Sequence, residues 1–161
     1  MEEPTVRAIT SVKGLVKITL TGVPDRPGMA ARILTDVAAA GVNVRTIIQG
    51  ATSNNTNRIT FVVEAKCLTD VQSLFKDWTR DLIASEVEVV EEVASIAIEG
   101  SRLASNPTLP ALMFEVLADL EINIDCIGSS EMKIECVISG ARLEEAESAL
   151  RAAFTVEMNG T

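Results

Sequence analysis

The chain has 161 residues, 47% of them hydrophobic, and a formal net charge of −9 at pH 7. That is apolar material for one large or two small cores. The negative field repels phosphate backbones and anionic lipid heads, so nucleic acid and membrane surfaces make poor partners. No apolar run reaches the length of a membrane span, and the start Met1-Glu2-Glu3-Pro4 lacks the features of a secretion signal, so a cytoplasmic location is expected.

In chain order, Thr5 to Val12 reads as a strand, and Val16, Ile18 and Leu20 alternate with polar residues in a second one. A turn at Pro24-Asp25-Arg26-Pro27-Gly28 leads into a helix that carries Ala30, Ile33, Leu34, Val37 and Ala38 on one face and is stopped by Gly41. Strands are expected at Asn43–Gln49 and Arg58–Glu64, with the polar stretch 52–57 as the loop between them. Thr69-Asp70-Val71-Gln72 fits a capping box that opens a helix burying Val71, Leu74, Phe75 and Trp78. A strand follows at Glu86–Val90. The order then recurs: a strand at Ser95–Glu99, a helix from about Pro110 to Leu120, strands near Ile122–Ile127 and Glu131–Ile138, a helix from Leu143 to Ala153, and a weak final segment Phe154–Glu157.

The recurrence is a duplication. Gly41-Val42-Asn43-Val44 matches Glu121-Ile122-Asn123-Ile124 eighty positions later, and Pro27, Ala31, Val37 and Ala38 match Pro107, Ala111, Leu117 and Ala118 at the same offset. Length differences fall in polar loops, as expected of a true repeat. Each copy is a βαββαβ unit, so the expected fold is α+β, two ferredoxin-like units with antiparallel sheets. The second copy ends weakly, and the unassigned strand Thr5–Val12 is placed to complete its sheet. The expected domains are 13–92 and 93–161, the latter taking in strand 5–12.

Catalytic chemistry finds little support. There is no histidine and no tyrosine. The cysteines Cys67, Cys126 and Cys136 are scattered among apolar residues, which favours reduced core thiols over zinc or nucleophilic roles. Adjacent carboxylates such as Glu91-Glu92 and Glu144-Glu145 point in different directions and make poor acid–base pairs. Neither a catalytic residue, a metal site nor a cofactor is expected.

Binding chemistry is better represented. The segment Asp25-Arg26-Pro27-Gly28-Met29-Ala30 opens a helix, whose free N–H groups and partial positive charge suit a carboxylate. Gly28 lets a ligand approach the backbone. Asp25 serves either as a helix cap or as the partner of an ammonium group. Asn43 and Asn123 are either turn residues or shared ligand contacts, since an amide pairs with both ends of an α-amino acid. Gln49 offers a neutral polar group suited to a hydroxyl, or is simply an exposed strand end.

The segments Gly22–Ala31, Gly41–Val44, Ile47–Gly50, Ile122–Asp125 and Ser129–Ile134 resemble the ACT-domain family. More closely, they resemble the tandem ACT regulatory region of aspartate kinase, including its separately translated small (β) subunit, over about residues 5–158. The resemblance implies a non-catalytic regulatory part, feedback inhibition of the ATP-dependent phosphorylation of L-aspartate by threonine, lysine or both, and a kinase catalytic (α) subunit or domain as partner. It also implies homodimers, with effectors bound where the first unit of one chain meets the second unit of its partner. By matching position, the threonine-type site takes Asp25, Gly28, Met29, Ala30 and Gln49, completed by Asn123 and Ile124. A second, pseudo-symmetric effector site takes Asn43, Val44, Ser105, Pro107, Ser130 and Glu131. Two departures bear on the ligand. Arg45 stands where many relatives have Asp and repels a lysine ammonium, and the turn Ser105–Pro110 lacks the glycine of the first copy. Threonine is therefore favoured over lysine. The alternatives are a free-standing ACT-type amino-acid sensor serving another metabolic enzyme and, with least support, a small ferredoxin-like enzyme.

Overall fold

The computed structural model describes residues 5–154, which form β1 (Thr5–Pro24), α1 (Met29–Ala39), β2 (Thr46–Ala51), β3 (Thr56–Glu64), α2 (Leu68–Arg80), β4 (Glu86–Ser101), α3 (Thr108–Asp119), β5 (Cys126–Ser129), β6 (Lys133–Ser139) and α4 (Leu143–Ala153). The chain divides into two compact units, one of Leu15–Glu91 and one that joins the N-terminal segment through Gly14 to the residues from Glu92 onward. Both long strands, β1 and β4, pass from one unit to the other. Each has a positive-φ residue at the boundary, Gly14 (φ 67°) and Glu92 (φ 56°), where the regular pleat is interrupted. The N-terminal strand thus belongs with the second copy, as its weak ending implied. Thr155–Glu157 lie outside the described residues.

In the Leu15–Glu91 unit, β3 pairs antiparallel with both β1 and β2, leaving β2 at the edge. Val16, Ile18 and Leu20 of β1 and Ile59, Phe61 and Val63 of β3 face the same core as Ile33 and Val37 of α1 and Val71 and Trp78 of α2. The period of two in the strands and of about 3.6 in the helices puts these residues on one face each. Trp78, the only tryptophan, stands edge-on to Phe61 with ring centroids 6.4 Å apart. Its indole N–H donates to Asp36 Oδ2 at 2.9 Å, which ties α2 to α1. In the other unit β6 pairs antiparallel with β4 and β5. Ile96, Ile98, Ile134, Cys136 and Ile138 pack there against Met113, Leu117, Ala146 and Leu150, together with Val6 and Ile9 from the N-terminal segment.

Three local expectations need correction. Thr69 is not a helix cap: α2 starts at Leu68 with Cys67 as its cap residue, because a 3-10 turn over Ala65–Cys67 has already brought the backbone into helical conformation. Asn43 and Asn123 precede their strands instead of opening them. After α1 the chain takes a left-handed step at Gly41 (φ 75°) and Val42 N–H bonds back to Val37 O, and after α3 it does the same at Glu121 (φ 55°) with Ile122 N–H on Leu117 O. The backbone is spent on closing the helix, and cross-strand bonding resumes only at Arg45 N–H to Val62 O and Asp125 N–H to Val137 O. Finally, α3 starts at Thr108, earlier than Pro110, because Asn106 Oδ1 accepts from the Thr108 N–H at 3.0 Å.

β1 carries a bulge that shifts its register with β3 between Leu20 and Val23. Gly22 sits in it at φ 70°, and a Cβ there would fall 2.1 Å from Ser85 Oγ. Ser85 is anchored there, its N–H and Oγ both donating to Thr21 O, at 2.8 and 3.0 Å, and its Cβ also lies 2.8 Å from the added carbon. Gly28 also has positive φ (94°), yet a Cβ on it meets nothing within 4 Å. Gly22→Ala therefore adds a steric clash to backbone strain and is expected to cost about 2–4 kcal/mol in urea unfolding, against about 1 kcal/mol for Gly28→Ala. Equal losses would show that the Ser85 contact carries no weight.

Candidate functional site

The turn between β1 and α1 brings five of the expected residues around one cavity. Its volume is about 330 Å³, and Asp25, Gly28, Met29, Ala30 and Gln49 line it together with Val23, Arg26, Asn57 and Ile59. Val23 and Ile59 are fully buried and form an apolar floor. Gln49 reaches the cavity because β2 is antiparallel to β3 with Gln49 opposite Ile59.

One wall is the start of α1. Gly28 is its cap residue in left-handed conformation and has no side chain with which to cap it. The first backbone bond into the helix is Arg32 N–H to Gly28 O at 2.9 Å. The amides of the first turn are thereby left facing the cavity with the positive end of the helix dipole. Asp25 is engaged away from the start of α1, so it does not act as its cap. Its main-chain N–H donates to Asn55 O at 2.9 Å and its Oδ1 accepts from Asn57 Nδ2 at 2.9 Å. Arg26 leans over the same rim, its Nε donating to Met29 Sδ at 3.4 Å. One cavity thus offers amide donors, a carboxylate, neutral amides and an apolar floor, a set matched to a small zwitterion with a short side chain.

Asn57 and Arg26 were absent from the expected site. Asn57 had a signal in the sequence: it continues the inward alternation of Ile59, Phe61 and Val63 by one step, so a polar side chain falls on the core face of β3. Counting 52–57 as loop concealed it. The remaining expected residues fall elsewhere. Asn123 and Ile124 belong to the other unit, in the loop before β5, with Asn123 exposed and Ile124 half-buried. Asn43 and Val44 lie in the corresponding loop before β2. Of the second set, Ser105 Oγ donates to Arg102 O at 2.9 Å, Ser130 Oγ accepts from Lys133 N–H at 3.1 Å, Glu131 O accepts from Leu103 N–H at 2.9 Å, and Pro107 precedes α3. The start of α3 is already served by Asn106. The two copies therefore differ at this point: the first helix start is open and the second is internally capped.

Other chemistry is sparse. Among the described residues no group of three or more His, Cys, Asp or Glu could hold a metal ion, and no helix is long and apolar enough to cross a membrane. None of the three thiols is in a disulfide. Cys136 is fully enclosed, and burial, aided by the Glu135 charge, pushes its thiol up to about 12.

Two successive βαββαβ units, each opened by a strand, a turn and a helix, define a tandem ACT-type fold, and family comparison agrees: residues 17–80 and residues 96–154 each match a model of the ACT domain. The chain is 34% identical over 157 residues to the aspartate kinase of Pseudomonas putida, covering 98% of this chain and 38% of that protein. It superposes on the regulatory subunit of aspartate kinase from Thermus flavus with a TM-score of 0.85 and 30% identity, covering 94% of this chain and 99% of that one. It also matches a chain in a crystal structure of aspartokinase alpha and beta subunits, with a TM-score of 0.84, 30% identity and 92% and 98% coverage. The chain belongs to the aspartate kinase family, and these residues are its tandem ACT regulatory part.

The thiol environments give a direct test. In the folded chain at pH 8 a disulfide reagent is expected to modify half-buried Cys67 and to leave buried Cys126 and Cys136 untouched until denaturant is added. Between the ordinary thiol range and about 12 the unfolded chain loses the Cys136 proton while the folded chain keeps it, so stability falls as pH rises through that window. Cys136→Ala should flatten this part of the profile in urea titrations at pH 8, 9 and 10. An unaltered slope would show that Cys136 does not ionise on unfolding.

Proposed function

We propose that this region is the feedback sensor of aspartate kinase and that its effector is L-threonine, bound at the open start of α1. The observation that carries the reading is the cavity itself: about 330 Å³, lined by Asp25, Gly28, Met29, Ala30 and Gln49, with a helix start whose cap residue, Gly28, has no side chain to close it. This volume is at the small end of ligand cavities, in keeping with a free amino acid. The α1 amides receive the carboxylate, Asp25 the ammonium group, and Gln49 the hydroxyl, while Val23 and Ile59 lie under the ligand's methyl group.

In this reading Asn123 and Ile124 come from the second unit of a partner chain, so the effector bridges two copies in a homodimer. Threonine then favours one arrangement of the dimer, and inhibition follows to the extent that this arrangement disfavours the active kinase. The enzyme so restrained is a catalytic subunit or domain that phosphorylates L-aspartate with ATP at the head of aspartate-family amino-acid biosynthesis, in the cytoplasm. The solved pair of aspartokinase alpha and beta subunits supports such a partner. Lysine is disfavoured. The exposed cation Arg45 follows Asn43 and Val44, and in the second set the Ser105 and Ser130 hydroxyls are already engaged with the backbone of Arg102 and Lys133.

Calorimetry with L-threonine and L-lysine tests this directly. Threonine should bind and lysine should give no comparable heat. Gln49→Ala and Asn123→Ala should each weaken threonine binding about tenfold, or about 1.4 kcal/mol, and sedimentation should show threonine favouring the dimer. Undiminished affinity in both variants would remove these residues from the site, and absence of heat with threonine would remove the effector.

A further inference from the structure

We infer that Asn57 is the positioning residue of this cavity, holding the Asp25 carboxylate in place for the α-ammonium group of the ligand. The inference rests on an amino acid occupying the cavity but not on which one. Asn57 is one of three buried polar or charged residues among those described, with 6% of its surface exposed. Buried amides are retained where their hydrogen bonds are met, and the partner here is Asp25: Nδ2 donates to Oδ1 at 2.9 Å. The main chain of Asn57 is fixed on both sides, opposite Val23 of β1 and Ala51 of β2, so its side chain projects from the most constrained strand of the unit. Asp25 stands on an exposed turn, and without this bond its carboxylate is free to rotate into water.

The charge arrangement points to a cation as the missing partner. No Lys or Arg pairs with Asp25 among the described residues, although ion pairs are frequent elsewhere in the chain. A neutral amide orients the carboxylate without cancelling its charge, which a lysine or arginine in the same place would do. One carboxylate oxygen is thus held and the full negative charge is kept for a cationic group in the cavity. In the second copy Ser105 occupies the position matching Asp25, and Met132, 65% exposed, lies two residues before Ile134 as Asn57 lies before Ile59. Both halves of the device are missing together, on the copy whose helix start is closed by Asn106.

The test uses the intact chain. A panel of the common L-amino acids, read by thermal shift and then calorimetry, identifies the tightest ligand. A best ligand other than threonine would overturn the threonine reading and leave the role of Asn57 to be tested with that ligand. Affinity for it and for its analogue lacking the α-amino group is then measured in wild type, Asn57→Ala, Asn57→Leu, Asp25→Ala and the Asp25→Ala/Asn57→Ala pair. Asn57→Leu is near-isosteric and lies against the apolar floor, which preserves the fold if alanine does not. Either Asn57 variant should weaken the amino acid about tenfold and the deaminated analogue less than about twofold, and in the pair the second substitution should add nothing to the first. Equal loss for both ligands, additive losses in the pair, or no amino-acid binding at all would overturn the inference.

Discussion

A helix that begins on a left-handed glycine, with no side chain to cap it, is the constraint on which the rest of this molecule turns. The first amides of α1 require an acceptor, and its cap residue Gly28 has no side chain to supply one. The same requirement at α3 is met by Asn106, one residue before that helix's cap position. The difference amounts to a few atoms, yet it separates a helix start that closes on itself from one that stays available to a carboxylate. The cavity, its apolar floor and the carboxylate on its rim are all arranged around that unfinished end.

Duplication supplies the scaffold, and divergence supplies the site. Both copies close their first helix with the same left-handed step, at Gly41 and Glu121, and both enter their second helix through a 3-10 turn, at Ala65–Cys67 and Gly140–Arg142. These shared features are matters of chain geometry and survive large changes of side chain. The side chains around the cavity are not shared: Asp25, Gly28 and Asn57 have Ser105, Thr108 and Met132 as counterparts. Of the two matching first helices, α1 thus begins on a glycine with no side chain to cap it, while the start of α3 is served by Asn106.

The cavity is also joined to the core. Its amides lie at one end of α1, and two turns further on Asp36 of the same helix accepts from the buried Trp78 indole at 2.9 Å while Arg32 braces the carboxylate at 3.1 Å. Interiors packed this closely move as bodies, not as single side chains. A ligand that shifts the start of α1 therefore acts on α2 as well, and the size of any regulatory effect is set by its difference in affinity for the two arrangements, not by its affinity as such.

The sequence by itself determined the repeat, the order of strands and helices, the exchange of the N-terminal strand into the second copy, and five residues of the cavity. The first three follow from periodicity and from the special demands of Gly28, Pro27 and Gly41, which act over a few residues; the five cavity residues came together through the resemblance to the ACT-domain family. It did not reveal that Thr69 falls inside α2, that Asn43 and Asn123 stand outside their strands, or that Asp25 leaves the helix uncapped. These outcomes depend on competition between nearby hydrogen-bond partners. Asn57 is the clearest case: its alternation with Ile59 and Phe61 was readable, but its bond to a residue thirty-two positions away exists only because β3 folds back against the end of β1. Local pattern decides which elements form. Which polar group meets which across two strands and a turn is decided by the tertiary structure, because only there do the competing partners come within reach.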